Sequence, residues 1–112
     1  MESHFRVELV ADGQSTVVTV CGELDLDSSP ALDDELARLS TDGVGRVILD
    51  LRRLDFMDST GLSTLVRAQE RLEQAGRRLG IVRGTQQVQR LLELTGVAER
   101  LEFADAPDEF RT

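Results

Sequence analysis

The chain has 112 residues with 21 acidic against 13 basic side chains, a formal charge of −8, which repels a phosphate backbone and excludes direct nucleic-acid binding. All 13 of the Lys and Arg positions are arginine, which removes Schiff-base chemistry, a phosphate-binding P-loop and the lysine of a phospho-accepting receiver domain. One cysteine (Cys21) and one histidine (His4) make neither an internal disulfide nor a four-ligand zinc site.

The length fits one domain, residues 1–112. No apolar run approaches the roughly 18 residues of a membrane span, and the opening M-E-S-H-F-R-V-E lacks the basic and apolar regions of a signal peptide. A cytoplasmic protein without a membrane partner is expected.

Taken in chain order, Phe5 to Val10 alternates apolar and polar residues and predicts a strand, with Ala11-Asp12-Gly13-Gln14 as the turn of a hairpin. Thr16 to Cys21 is dense in β-branched residues and predicts a more central strand, with Cys21 as a small core residue. Gly22 to Asp27 then reads as a loop. Ser29-Pro30 predicts an N-cap followed by a proline at the first helical position, with Asp33, Asp34 and Glu35 suiting the positive helix start. Leu32, Leu36 and Leu39 give that helix its buried stripe, and it ends before Gly43. Gly43-Val44-Gly45 is expected to be a turn rather than a phosphate loop, because it precedes a strand.

Val47 to Leu51 predicts a buried strand and Leu54 to Ser59 a loop. From Leu62 the apolar residues fall at 62, 65, 68, 72 and 75, one face of a helix whose other face carries Arg67, Glu70, Arg71, Glu73 and Gln74. Gly76 closes it. Leu79 to Val82 predicts a strand, Thr85 the cap of a third helix with Val88, Leu91, Leu92 and Thr95 inward, and Gly96 its stop. Leu101 to Ala104 predicts a last strand and Pro107 to Phe110 a terminal helical turn.

Strands alternating with helices after an opening hairpin predict an α/β fold: a mixed sheet, antiparallel in its hairpin and parallel beyond, with helices mainly on one face. The loops Gly22–Asp27 and Leu54–Ser59 then follow strands pointing the same way and meet at one edge of the molecule.

Asp58-Ser59-Thr60 marks the start of the second helix. Ser59 there has two readings. As an N-cap, its oxygen accepts a backbone N–H of the first turn. As a functional group, it displays a hydroxyl at the positive end of a helix dipole, where a phosphate is tolerated. Gly61, costing about 1 kcal/mol of helix propensity in that turn, implies a close approach to the backbone, and Phe56 and Met57 place apolar surface beside the hydroxyl.

No base accompanies Ser59, since His4 lies near the N-terminus and the string F-M-D-S-T-G lacks the leading glycine of a nucleophile elbow, so hydrolysis is not expected. Asp25, Asp27, Asp50, Asp55 and Asp58 are a conceivable Mg²⁺ set, but in so acidic a chain their default is solvated loops and caps. The chain reads as a binding protein, not an enzyme, and calls for no cofactor.

F-M-D-S-T-G-L at Phe56–Leu62, with V-I-L-D-L at Val47–Leu51, G-E-L-D at Gly22–Asp25 and R-L-L-E-L-T-G-V at Arg90–Val97, resembles the STAS domain and specifically the bacterial anti-sigma factor antagonists. The resemblance spans about Phe5 to Phe110. It implies that Ser59 is phosphorylated by an anti-sigma factor that is itself a serine kinase, with ATP as donor, and that a serine phosphatase reverses this. Unphosphorylated chain binds the anti-sigma factor and frees the sigma factor; phosphorylated chain does not. Asp25 is implied to face the site, with Asp58, Thr60 and Gly61 shaping it and Met57 and Leu62 beside it. Thr60 departs from the second serine common in the family. The resemblance also admits a non-switching scaffold of a stress-signalling or lipid-transport assembly, in which Ser59 is only a cap. It leaves homodimerisation open.

Overall fold

The computed structural model describes residues 5–41 and 45–110. Its strands are β1 (Arg6–Asp12), β2 (Ser15–Leu24), β3 (Arg46–Asp50), β4 (Leu54–Met57), β5 (Arg78–Val82) and β6 (Glu102–Ala104), and its helices α1 (Ser29–Thr41), α2 (Ser59–Gln74) and α3 (Gln86–Leu94). Short 3₁₀ turns occupy Val97–Arg100 and Pro107–Phe110. The strands form one sheet in the order β1-β2-β3-β5-β6, and β4 pairs with the far end of β2. Only β1 against β2 is antiparallel; the other pairings are parallel.

Alternation along the strands sorts the sheet into two faces. Val18, Val47, Leu49, Leu79 and Ile81 meet Leu32, Leu36 and Leu39 of α1, Leu65, Ala68 and Leu72 of α2, and Val88 and Leu92 of α3 in one core. All three helices therefore cover the same face, as expected. On the reverse face Ile48, Val82 and Ala104 form a smaller cluster with Phe110. Gly80 makes room for that ring, since a Cβ there would lie 2.7 Å from it.

Several expected boundaries move. The hairpin turn is shorter than Ala11 to Gln14: β1 runs on to Asp12 and pairs with Ser15, so Gly13, at φ +64°, and Gln14 alone make the loop. Gly22 to Leu24 is not loop but the end of β2, and Leu54 to Met57 is not loop but β4. The two segments meet as predicted, as a parallel ladder with Gly22 opposite Leu54, Glu23 opposite Phe56 and Leu24 opposite Met57. The shift between Gly22 and Glu23 leaves Asp55 as an extra, bulged residue.

At α1, Ser29 is not a working cap: it is the first helical residue, and its buried Oγ has no hydrogen-bond partner among the described residues. Nor do the acids sit in the first turn; Asp33 instead faces Arg67 and Arg71 of α2, at 3.7 and 3.5 Å. α1 ends at Thr41, and Gly43-Val44 of the expected turn lies outside the described residues, as does His4. In α2 the buried positions are Gly61, Thr64, Leu65, Ala68 and Leu72; Leu62 is half-buried and Ala75 is exposed at the C-cap. Gly76, at φ +73°, ends the helix as predicted, its neighbour Arg77 donating to Leu72 C=O at 2.8 Å. Among the described residues no helix is long and apolar enough to cross a membrane.

Candidate functional site at the start of α2

Sheet and helix are locked together where β4 runs into α2. Asp58 N–H donates to the Leu24 carbonyl at 3.2 Å, extending the β2–β4 ladder by one step. The extended backbone of Asp58 (φ −105°, ψ −171°) then turns its carboxylate back over the helix. Oδ1 accepts the N–H groups of Thr60 at 2.9 Å and Gly61 at 3.1 Å, satisfying two donors that a helix start leaves open. Asp58 is the N-cap; Ser59 is not.

That difference leaves the Ser59 side chain outside the cap. It is the first helical residue, exposed, and its Oγ makes no hydrogen bond to any described residue. Only its carbonyl is used, accepting from Ser63 Oγ at 3.0 Å. The Thr60 side chain is half-buried, so Ser59 is the more accessible of the two hydroxyls.

Gly61 answers to an internal approach. A Cβ there would lie 2.8 Å from the Leu24 carbonyl oxygen and 2.8 Å from Met57 Cγ, so the first turn of α2 sits directly on β2 and β4. Met57, expected at the surface, is 5 % exposed and belongs to the core, because the bulge at Asp55 points Met57 inward beside Leu24. The apolar surface beside Ser59 is instead Phe56, 39 % exposed, and the half-buried Leu62.

The β2–β4 pairing and the Leu24–Asp58 hydrogen bond also bring Asp25 alongside. Its carboxylate is partly committed to its own loop, Oδ1 accepting the N–H groups of Asp27 and Ser28, each at 3.1 Å. Ser28 Oγ accepts Asp25 N–H at 2.9 Å and donates to Glu23 C=O at 2.7 Å. This closed turn fixes the Asp25 carboxylate within its own loop, one residue past Leu24, whose carbonyl accepts the Asp58 N–H.

Along α2 from Ser59, a groove of about 460 Å³ is lined by Leu62, Ser63 and Val66 on one side and Thr95 and Val97 on the other. Val66 and Val97 escaped the sequence reading; the signal was present in the spacing 59, 62, 63, 66, the strip of a helix next to its buried face. A larger cavity, about 600 Å³, lies at the opposite end of the sheet beside Gln14, Arg46, Arg78 and Phe110. There both guanidiniums are held by Glu102, at 3.0 and 3.1 Å.

The acidic residues do not converge. No three His, Cys, Asp or Glu side chains among the described residues are grouped to hold a metal ion. Asp50 is taken by Arg52 in a two-pronged pair, Nε to Oδ1 at 3.0 Å and Nη2 to Oδ2 at 2.8 Å, and that hydrogen bonding raises the guanidinium pKa further above its ordinary value.

Residues 7–103 match the family model described as MlaB, STAS domain. The chain belongs to the STAS domain family. The anti-sigma-B factor antagonist of Staphylococcus aureus is 30 % identical over 96 residues, covering 86 % of this chain and 89 % of that protein. In three dimensions the chain is similar to an anti-sigma factor antagonist from Mycobacterium paratuberculosis, with TM-score 0.85 and 25 % identity over 94 % of this chain and 89 % of that one. The antagonist SpoIIAA in its unphosphorylated form shares the fold at TM-score 0.77 and 22 % identity, over 94 % and 90 % of the two chains. These STAS relatives are named as regulators, not as enzymes.

Proposed function

We propose that this STAS domain is an anti-sigma factor antagonist whose docking is switched by phosphorylation of Ser59. The observation that carries the reading is the division of labour at α2: the Asp58 carboxylate does the capping, so the neighbouring hydroxyl is exposed and has no structural task. The names of the STAS relatives supply the partner class, an anti-sigma factor.

The partner is a serine kinase as well as a ligand. It transfers the γ-phosphoryl group of ATP to Ser59 Oγ, the hydroxyl loses its proton and ADP leaves; a phosphatase returns hydroxyl and inorganic phosphate with one water. The chain performs neither step and binds no cofactor. This places the cycle in the cytoplasm, where the ATP is.

Phosphate adds about −1.5 to −2 charges. Because Asp58 already holds the N–H groups of Thr60 and Gly61, the phosphate does not displace the cap and the fold is kept. It stands instead as a second anion beside Asp58 and near Asp25. Buried against a partner seated on Phe56 and Leu62, that charge loses its water and meets like charge, and docking fails.

Incubation with the cognate kinase and ATP, followed by mass spectrometry, tests the reading. One phosphate on Ser59 is expected. Ser59→Ala takes up none and still binds, and Ser59→Asp binds weakly. Phosphate confined to Thr60, or Ser59→Asp binding at wild-type strength as in a constitutive scaffold, would falsify the switch.

A further inference from the structure

We infer that Leu26 is the apolar anchor by which this chain docks its anti-sigma factor, and that the partner meets it with an apolar recess rimmed by basic side chains. The inference rests on the switch proposed above and names the partner's surface at the same site. Five large apolar side chains are open among the described residues: Leu9, Val10, Leu26, Phe56 and Leu94. Two of them, Leu26 and Phe56, lie on the segments that the β2–β4 ladder joins to the start of α2. Leu26 follows Leu24 by two residues, so its Cα is within about 8 Å of the Leu24 Cα, and the Leu24 carbonyl accepts the Asp58 N–H at 3.2 Å. Leu26 is 71 % exposed, against 39 % for Phe56, and belongs to neither apolar cluster of the fold.

What separates Leu26 from an ordinary surface leucine is the turn that carries it. Asp25 Oδ1 takes the N–H groups of Asp27 and Ser28, and the buried Ser28 Oγ ties Asp25 N–H to Glu23 C=O. Ser29 N–H donates to Asp25 C=O at 2.8 Å. The backbone on both sides of Leu26 is thereby fixed, while its side chain stands in water. Held in this way it loses little freedom when a partner covers it, so burial of the side chain goes into affinity instead of into ordering a loop. An apolar centre within a polar ring is the layout of a protein interface.

The ring is acidic. Glu23 stands opposite Phe56 in the ladder, Asp55 is the bulged residue beside it, and Asp27 follows Leu26. None of the three forms an ion pair with a described residue. The arginines just before β4 turn elsewhere, Arg52 to Asp50 at 2.8 Å and Arg53 to Glu8 at 3.8 Å. Unpaired carboxylates around an apolar centre select a partner with Lys or Arg at its rim and draw it in from a distance. A phosphate on Ser59 acts at shorter range. It takes effect once the surfaces touch and lose water, so it raises the rate of dissociation, whereas the acidic rim sets the rate of encounter.

The probe is the purified kinase that labels Ser59 in the experiment above, immobilised, with binding and release of the full chain followed by surface plasmon resonance. Leu26→Ser is expected to dissociate about tenfold faster or more, with an unchanged melting temperature, and Leu26→Met to bind like wild type. Glu23→Gln, Asp27→Asn and Asp55→Asn together slow association about threefold or more and flatten its dependence on salt, with dissociation unchanged. Leu26→Ser that binds like wild type overturns the inference, while the labelling of Ser59 and the switch still stand. Leu26→Ser that loses thermal stability overturns it too, since the side chain would then serve the fold. The same holds if that variant alters the sedimentation of the free chain, since Leu26 would then face a second copy. A triple variant that associates as fast as wild type, with the same salt dependence, overturns the basic rim.

Discussion

Two helices in this domain begin after a parallel strand with a hydroxyl residue near the first turn, and they use it differently. At α3, Thr85 is the N-cap and its Oγ accepts the Val88 N–H at 3.4 Å. At α2, the cap one residue earlier is a carboxylate, Asp58, which takes two N–H groups and leaves Ser59 with an unused Oγ. A hydroxyl at the cap position is part of the fold; a hydroxyl one residue past an acidic cap is available to something else. On the proposed switch, a phosphate on Ser59 would leave the Asp58 cap in place, whereas one on Thr85 would sit on the capping oxygen itself.

The largest effect expected from this contrast is on docking. Ser59→Asp should weaken binding of the anti-sigma factor about a thousandfold, roughly 4 kcal/mol, measured by calorimetry, while thermal stability holds. Next comes the seat beneath the site: Gly61→Ala drives a Cβ into Leu24 and Met57 and should cost about 1–3 kcal/mol of unfolding free energy in a urea titration. Removing either cap separates the two helix starts from their neighbours. Asp58→Ala and Thr85→Ala should each lose about 1 kcal/mol, whereas Ser59→Ala, which removes no hydrogen bond, should stay within about 0.5 kcal/mol of wild type. Were Ser59→Ala to cost as much as Thr85→Ala, the hydroxyl would be a cap after all and the comparison would fail.

The order of the elements was legible because periodicity is local: the β-branched run of β2, the stripe Leu32-Leu36-Leu39 and the stop at Gly76 each report themselves within a few residues. β4 was not. Its burial runs buried, exposed, exposed, buried from Leu54 to Met57, since the bulge at Asp55 breaks the two-residue alternation on which strand reading depends. The same bulge turned Met57, which sequence places beside Ser59 at the surface, into core. Ser29 misled in the other direction, fitting the cap pattern while the chain began its helix one residue early.

Of the candidate site, Asp58, Ser59, Thr60 and Gly61 were nameable in advance from the break between strand and helix patterns and an out-of-place glycine, while Asp25 entered through the family resemblance. Their division of labour was not. Which of two adjacent oxygens reaches back over a helix start depends on the dihedral angles of Asp58, and those are set by its hydrogen bond to Leu24, a residue far away in sequence. Composition and periodicity act over neighbours; the ladder that puts β4 against the end of β2 acts across the sheet, and it alone leaves the Ser59 hydroxyl with nothing to hold.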